Sequence, residues 1–335
     1  MKINTLGSDH SLNKQQKSEL VSLRERFNLS LLAIMEKTGK YTAELDLLKI
    51  WPETDNLPEL YDQLTELKAC LDSFRPFDTA QTKNLQEVFD TEYTYASNRI
   101  EGNTLTLRET SFVINEGLTI RDKSMKDHLE AINHKEAIEF VRELVTKQEL
   151  LDERNIKLIH ALILHAIDRE NAGRYRDVAV GISGTDIVFP EPFVVPNLMK
   201  DLMHFYEENK EKLHPVQLAA QMHSKLVNIH PFIDGNGRTC RLVMNLILLQ
   251  NGYPLTIFSP ESEDRDRYFD ALNKAREYTD EAPFEHFVAE NVKLWIIKYL
   301  HMLAPNIGES EKNKGYQFFK RIEPLLANKP DNTES

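Results

Sequence analysis

Between His230 and Arg241 the run HPFIDGNGRTCR gathers an imidazole, a carboxylate, two glycines and two guanidiniums. An unperturbed imidazole, with a pKa near 6.5, is largely neutral at pH 7 and can take a proton as a general base. Asp234 is a hard oxygen ligand of the kind that holds Mg²⁺ alongside substrate phosphates. Gly235 and Gly237 alternate with Asp234 and Asn236, a spacing that lets positive φ turn successive backbone N–H groups into one anion-binding concavity. Arg238 and Arg241 lie three apart on the first turn of a predicted helix, where the dipole opposes cations by roughly 0.3–1 kcal/mol each. Something negative must offset them, and a polyphosphate matches a guanidinium fork that stays charged at any working pH. Taken singly, these residues are ordinary turn formers, caps and surface charges. Together they address one ligand.

The elements that must position this loop are helical. Leu218, Met222, Leu226 and Ile229 form an apolar helical stripe, and Pro231 pushes His230 out of helical geometry at that helix's exit. After the loop a helix runs from Arg238 to Leu249, and its N-terminal N–H groups join the anion site. Its stretch Arg241 to Leu249, RLVMNLILL, is apolar on nearly all sides and is the expected axis of the core. Leu85, Val88, Phe89, Tyr93, Ala96 and Ile100 form another helical face, as do Ile156, Ile159, Ile163 and Ile167. The pattern changes between Gly173 and Pro196. There Val178, Val180 and Ile182 alternate, Ser183-Gly184 supplies a turn, and Ile187 and Phe189 alternate again, so a single β-hairpin is expected. The fold class expected is mainly α.

Residues 1–80 are helical stretches broken before Pro52, Pro58 and Pro76, and read as an N-terminal extension. A main domain is expected over 81–305, followed by a charged, polar tail over 306–335. The 41 basic and 53 acidic residues give a net charge of -12, which argues against wrapping a phosphate backbone. Two cysteines, Cys70 and Cys240, read as free thiols of a reducing compartment. The N-terminus lacks a signal-peptide apolar core and no stretch reaches membrane-spanning length, so a soluble cytoplasmic protein is expected, with neither nucleic-acid nor membrane partners. His160 and His165 are five apart, off one helical face, and no zinc-type ligand spacing occurs. His223, one helical face before His230, is as well explained by packing as by support of the base.

The run His230, Pro231, Phe232, Asp234, Gly235, Asn236, Gly237, Arg238 and Arg241 resembles the Fic signature HPFx(D/E)GN(G/K)RxxR in full. The likeness extends from about Asp90 to Ala289 through SNRIEGNTLTLRET, EAINHKEA, GRYR and a stretch from Tyr268 to Phe284. It implies a Fic-type helical bundle with a short β-hairpin flap, and transfer of AMP from ATP to a Ser, Thr or Tyr hydroxyl of a target protein. By that resemblance His230 is the base and Asp234 holds Mg²⁺, or Mn²⁺ in its place. Gly235, Asn236 and Gly237 stabilise the α-phosphate, and Arg238 and Arg241 neutralise the outgoing pyrophosphate. The target docks on the 173–196 flap, and dimers recur among similar proteins. Tyr268 matches a position near the adenine. Where the family often carries an asparagine near the base, this chain aligns Arg276.

Ser97, Glu101 and Gly102 resemble the family's inhibitory motif (S/T)xxxE(G/N). A carboxylate at a helix C-terminus opposes the dipole and calls for a cationic partner, so Glu101 is expected to pair with Arg241 and restrain the nucleotide. Two other functions compete. The same residues could hydrolyse AMP from a modified protein, or the loop could sense ATP without turnover. A metal nuclease is disfavoured by the acidic balance. His128, Asn133 and His134 are left outside the site.

Overall fold

The computed structural model describes residues 54–72, 79–181 and 187–303. Two compact units divide the chain, Met1–Phe77 with Lys293–Ser335, and Asp78–Val292. In the first, the described residues form helix α1 (Leu57–Asp72) and the end of a helix that continues out of the second. Most of the expected N-terminal extension, and the 306–335 tail, lie outside the described residues.

The second unit holds the chemistry-bearing loop. Its helices are α2 (Thr79–Ile100), α3 (Leu107–Glu116), α4 (Met125–Thr146), α5 (Glu153–Ile163), α6 (Val195–Asn209), α7 (Pro215–Ile229), α8 (Asn236–Gln250), α9 (Ser262–Tyr278) and α10 (Ala282–Leu303, crossing into the first unit). Local chemistry sets their ends. Thr106 with Glu109, and Ser124 with Asp127, close capping boxes at the starts of α3 and α4. Asp152 caps α5, while prolines in their first turns, where no N–H is needed, open α6 and α7.

The axis of the unit is α8. Leu242, Val243, Met244, Leu246, Ile247 and Leu248 are all buried, as a helix apolar on every side requires. Helices α7, α4, α5 and α2 pack around it. Its one mid-helix amide is satisfied: Asn245 donates to the Arg241 and Thr256 carbonyls and accepts from the Thr256 N–H. The stripes on α5 and α7 are buried as expected, except that α5 ends at Ile163, before Ile167. On α2, Phe89, Tyr93, Ala96 and Ile100 are buried, but Val88 is 56% exposed.

No strand occurs among the described residues of the 173–196 segment, and its proposed Ser183-Gly184 turn lies outside them. The expected hairpin boundary is too long. Pro192–Val194 form a 3₁₀ turn and Val195 opens α6. Prolines 190, 192 and 196 lack the N–H that a strand ladder needs, and from Pro192 the chain turns helical. The alternation is visible as extended chain, with Val188 89% exposed and its neighbour Phe189 buried.

Because Leu246 is wholly enclosed, Leu246→Ala should lower unfolding free energy by about 2–5 kcal/mol. Urea denaturation followed by circular dichroism would measure it, and a loss under 1 kcal/mol would contradict α8 as the packing axis.

Candidate active site

The signature loop joins two packed helices, α7 and α8, and its backbone is tied at almost every carbonyl. His230 sits in the left-handed region (φ 49, ψ 58) as the C-cap of α7, a conformation a β-carbon resists and the surroundings must enforce. The Arg176 Nε donates to the His230 carbonyl (2.8 Å) and the Arg176 N–H to the Pro231 carbonyl (2.9 Å). Asn236 Nδ2 donates to the Phe232 carbonyl and its Oδ1 accepts the Phe232 N–H, closing the loop on itself. His160 Nε2 donates to the Asp234 carbonyl at 2.9 Å, and its ring stacks on Phe232 at 3.6 Å. A loop meant to present N–H groups to an anion must discharge its carbonyls elsewhere, and these four side-chain and main-chain donors do so.

The His230 imidazole itself is oriented. His230 Nδ1 faces the Val227 carbonyl at 3.4 Å, so the neutral ring carries its proton there and leaves the Nε2 lone pair as acceptor. Phe189 lies on the imidazole at 3.9 Å. The guanidinium of Arg276 packs over Phe189 and is held by Asn228, two residues before the base.

Gly235 has φ 76 and forms the N-cap of α8, but Gly237 lies within the first helical turn. The sequence expectation of two positive-φ glycines is therefore half right. Gly237 is needed for space: a Cβ there would collide with the Glu101 carboxylate and approach Arg241 Nη1 to 3.2 Å. Asp234 stands at the loop's edge with its side chain 51% exposed, its Oδ1 receiving the Gly235 N–H and lying 3.5 Å from Arg238 Nη2. No group of three or more His, Cys, Asp or Glu able to hold a metal occurs among the described residues. One half-exposed carboxylate beside an anion site suits a divalent ion that arrives with phosphates.

Both arginines of α8 are buried and ion-paired. Arg241 donates from Nε to Ser97 Oγ (3.0 Å), and from Nη2 to the Ser97 carbonyl (2.9 Å) and Glu101 Oε1 (2.8 Å). Burial works against its charge, but the Glu101 carboxylate outweighs that and holds its pKa above the ordinary value. Ser97 and Glu101, at the C-terminal end of α2, thus meet α8 as expected. Arg238 pairs with Glu130 at 3.1 Å, and Glu130 also accepts from Asn103 Nδ2. That carboxylate ties the loop after α2 to the anion site. Arg241 Nη1 is buried without a hydrogen-bond partner, whereas Arg238 Nη1 is the atom that faces Glu130.

Tyr268 is placed otherwise than the resemblance implied. It is 1% exposed, its hydroxyl is hydrogen-bonded with His223, and it packs among Phe258, Phe284 and Phe287, so no ring face is offered to a base. His223 is a packing residue of that aromatic cluster. Asn133 donates to the Ile163 and His165 carbonyls, and His134 pairs with Thr94. His128 accepts the Ile120 N–H. All three serve the scaffold. Sequence reasoning missed Glu130, His160, Arg176 and Phe189. The only signals for them were the stretches EAINHKEA and GRYR, which hold two of the four.

Residues 150–248 match the family model described as Fic/DOC family. This stretch of the chain is thus a Fic/DOC-type domain. It is 36% identical over 247 residues to a "Protein adenylyltransferase Fic" of Nematostella vectensis, a match covering 72% of this chain and 56% of the relative. The protein of the same name from Drosophila willistoni is 31% identical over 271 residues, covering 79% of this chain and 53% of the relative. The chain thus spans about half the length of the curated relatives it matches. Among solved structures, a Fic domain containing signaling protein from Bacteroides thetaiotaomicron superposes with TM-score 0.65 at 28% identity, over 75% of this chain and 99% of that one. Fic-1 from C. elegans gives 0.66 at 27% identity, over 86% and 84%.

Burial brings the pKa of His230 down to about 4, with the Arg176 and Arg276 charges adding and the Val227 hydrogen bond and Glu101 opposing. Burial does the same to His160, also to about 4. Both are neutral at pH 7. The unfolded chain, with histidines near 6.5, binds more protons between these values, so stability present above pH 6.5 is lost as pH falls towards 4. The melting temperature should drop by roughly 5 °C or more between pH 7 and pH 5. A scan by differential scanning fluorimetry that stays flat across that interval would contradict neutral, buried imidazoles.

Proposed function

We propose that this chain transfers AMP from ATP to a hydroxyl of a target protein and that Glu101 restrains the reaction. The observation that carries the reading is the seat at the start of α8. Two guanidiniums stand on the first turns of α8, an oriented neutral imidazole caps the helix before it, and a carboxylate already occupies the space above Gly237. The relatives' name supports the activity.

In this reading the triphosphate lies along the N–H groups of Gly235, Asn236 and Gly237, and Arg238 and Arg241 neutralise its outer phosphates. His230 Nε2 takes the proton of a Ser, Thr or Tyr hydroxyl as the oxygen attacks the α-phosphorus. The bond from that phosphorus to the bridging oxygen breaks, and pyrophosphate leaves in line. Asp234 would hold Mg²⁺, which when bound supplies charge neutralisation to the phosphates. The 173–196 segment, beside the base, receives the target. The proposed placement of the protein is cytoplasmic, a homodimer is compatible with the resemblance, and adenine contacts remain with residues other than the enclosed Tyr268.

Glu101 acts by two routes. It holds Arg241, and its carboxylate takes the place where a phosphate would rest. A nucleotide must displace it or bind in a pose unsuited to attack. The same carboxylate lies near enough to influence His230, which favours a second reading in which it orients a water that removes AMP from a modified protein.

Replacing Glu101 by Gly should raise pyrophosphate release and AMP incorporation at least about tenfold, the effect of removing an obstacle of ~1.4 kcal/mol. In the same background His230→Ala should cost roughly 10²–10⁴-fold. Radiolabelled ATP and intact-protein mass spectrometry would read both. An unchanged rate in the folded Glu101→Gly chain would defeat the restraint, and an active His230→Ala variant would defeat the mechanism. Release of AMP from a modified protein, slowed by removing Glu101, would favour the hydrolytic direction.

A further inference from the structure

We propose that Arg176 is a positioning residue that makes the 173–196 segment and the His230 imidazole one mechanical unit. A target held on that segment then meets the base in register. The inference rests on the transfer reading and concerns what places the two reactants together.

Arg176 is buried, and all its side-chain hydrogen bonds among the described residues go to backbone carbonyls. Nε donates to the His230 carbonyl at 2.8 Å, Nη1 to the Val178 carbonyl at 3.1 Å, and Nη2 to the Pro190 carbonyl at 2.5 Å. Its own N–H reaches the Pro231 carbonyl. One residue therefore ties three stretches: the leaving arm of the segment, the returning arm and the base's own peptide. At Pro190 and Pro192 the returning arm has no N–H to give to a ladder. The guanidinium fork supplies the missing donors to both arms. A lysine, with one ammonium on a flexible stem, cannot span three diverging carbonyls.

A second contact runs the same way. Phe189, adjacent to Pro190, stacks on the imidazole at 3.9 Å, so movement of the returning arm moves the ring's neighbour as well. On the returning arm Val188 is 89% and Phe193 79% exposed. The returning arm thus has Phe189 and Pro190 held against the base's loop, and Val188 and Phe193 exposed for a partner chain. His230 keeps a left-handed backbone that resists it, and the Arg176 bond to its carbonyl is one of the forces that holds it there. The nucleotide seat on α8 has anchors that do not involve Arg176: His160, Asn236 and the packing of α8 itself.

This division sets the test. In the full Glu101→Gly chain, Arg176→Lys is compared with its parent, with Arg176→Ala as a second variant. ATP with Mg²⁺ is the probe for affinity by isothermal calorimetry, and self-modification and pyrophosphate release report turnover. Hydrogen–deuterium exchange follows peptides over 187–191, 229–232 and 236–241. The expected result for Arg176→Lys is ATP affinity within about twofold of the parent and turnover lowered roughly 10–100-fold, the scale of a misplaced reactant. Exchange should rise together over 187–191 and 229–232, and not over 236–241. Unchanged turnover, an equal loss of ATP affinity, or exchange rising in only one of the two stretches would overturn the proposal. If the parent itself transfers nothing, the transfer reading falls, while calorimetry and exchange still decide whether Arg176 couples the two stretches.

Discussion

A helix that starts inside a protein exposes N–H groups whose partial positive charge must be answered, and α8 adds two buried guanidiniums to that demand. The chain answers with acids drawn from two other helices. Glu101 from the end of α2 meets Arg241, and Glu130 from α4 meets Arg238. Removing Glu101 would take from the buried Arg241 its acid, a state that proteins tolerate poorly, whereas Arg238 without Glu130 would keep Asp234 at 3.5 Å. The placement of α2 and α4 around α8 follows from this as much as from their apolar faces. So does the small residue at 237, since a side chain there would push out the carboxylate that the site needs in the absence of a ligand.

The loop itself follows from a division of its polar groups. The Phe232 and Gly235 N–H groups go to Asn236 and Asp234, and the loop's carbonyls are consumed by Arg176, His160 and Asn236. Neither half would work alone, because unsatisfied buried carbonyls would compete for the same donors that an anion requires. His160 can donate to Asp234 only because its Nδ1 accepts from Gly173, which fixes the neutral tautomer. Gly173 is itself required, since a Cβ there would press on the Lys157 carbonyl at 3.0 Å.

How far the sequence could be read depended on distance along the chain. The signature loop is contiguous, so its imidazole, acid, glycines and arginines were legible as one ligand site. The helices were legible from apolar spacing, and α8 from being apolar all round. The Glu101–Arg241 pair joins residues 140 apart, and became visible only through resemblance to a known motif. His160 lies 74 residues from Asp234 and Arg176 lies 54 from His230, in stretches whose residue types are ordinary, so periodicity carried no hint of their bonds. Tyr268 had the right type for a base contact, but its burial among aromatic rings depends on three-dimensional packing of α9 against α7 and α10. The hairpin was read from alternation that is present, but no strand occurs among the described residues of that segment, and its turn lies outside them.

The burial of α8 has one more consequence, for how the protein fails. Regions that open locally are those with few buried contacts, whereas a central helix exchanges and frays only when its whole unit comes apart. The anion seat is the first turn of such a helix. Heat or denaturant therefore has no gentle way to loosen the seat first: competence to hold a polyphosphate and integrity of the helical unit should be lost in one cooperative step.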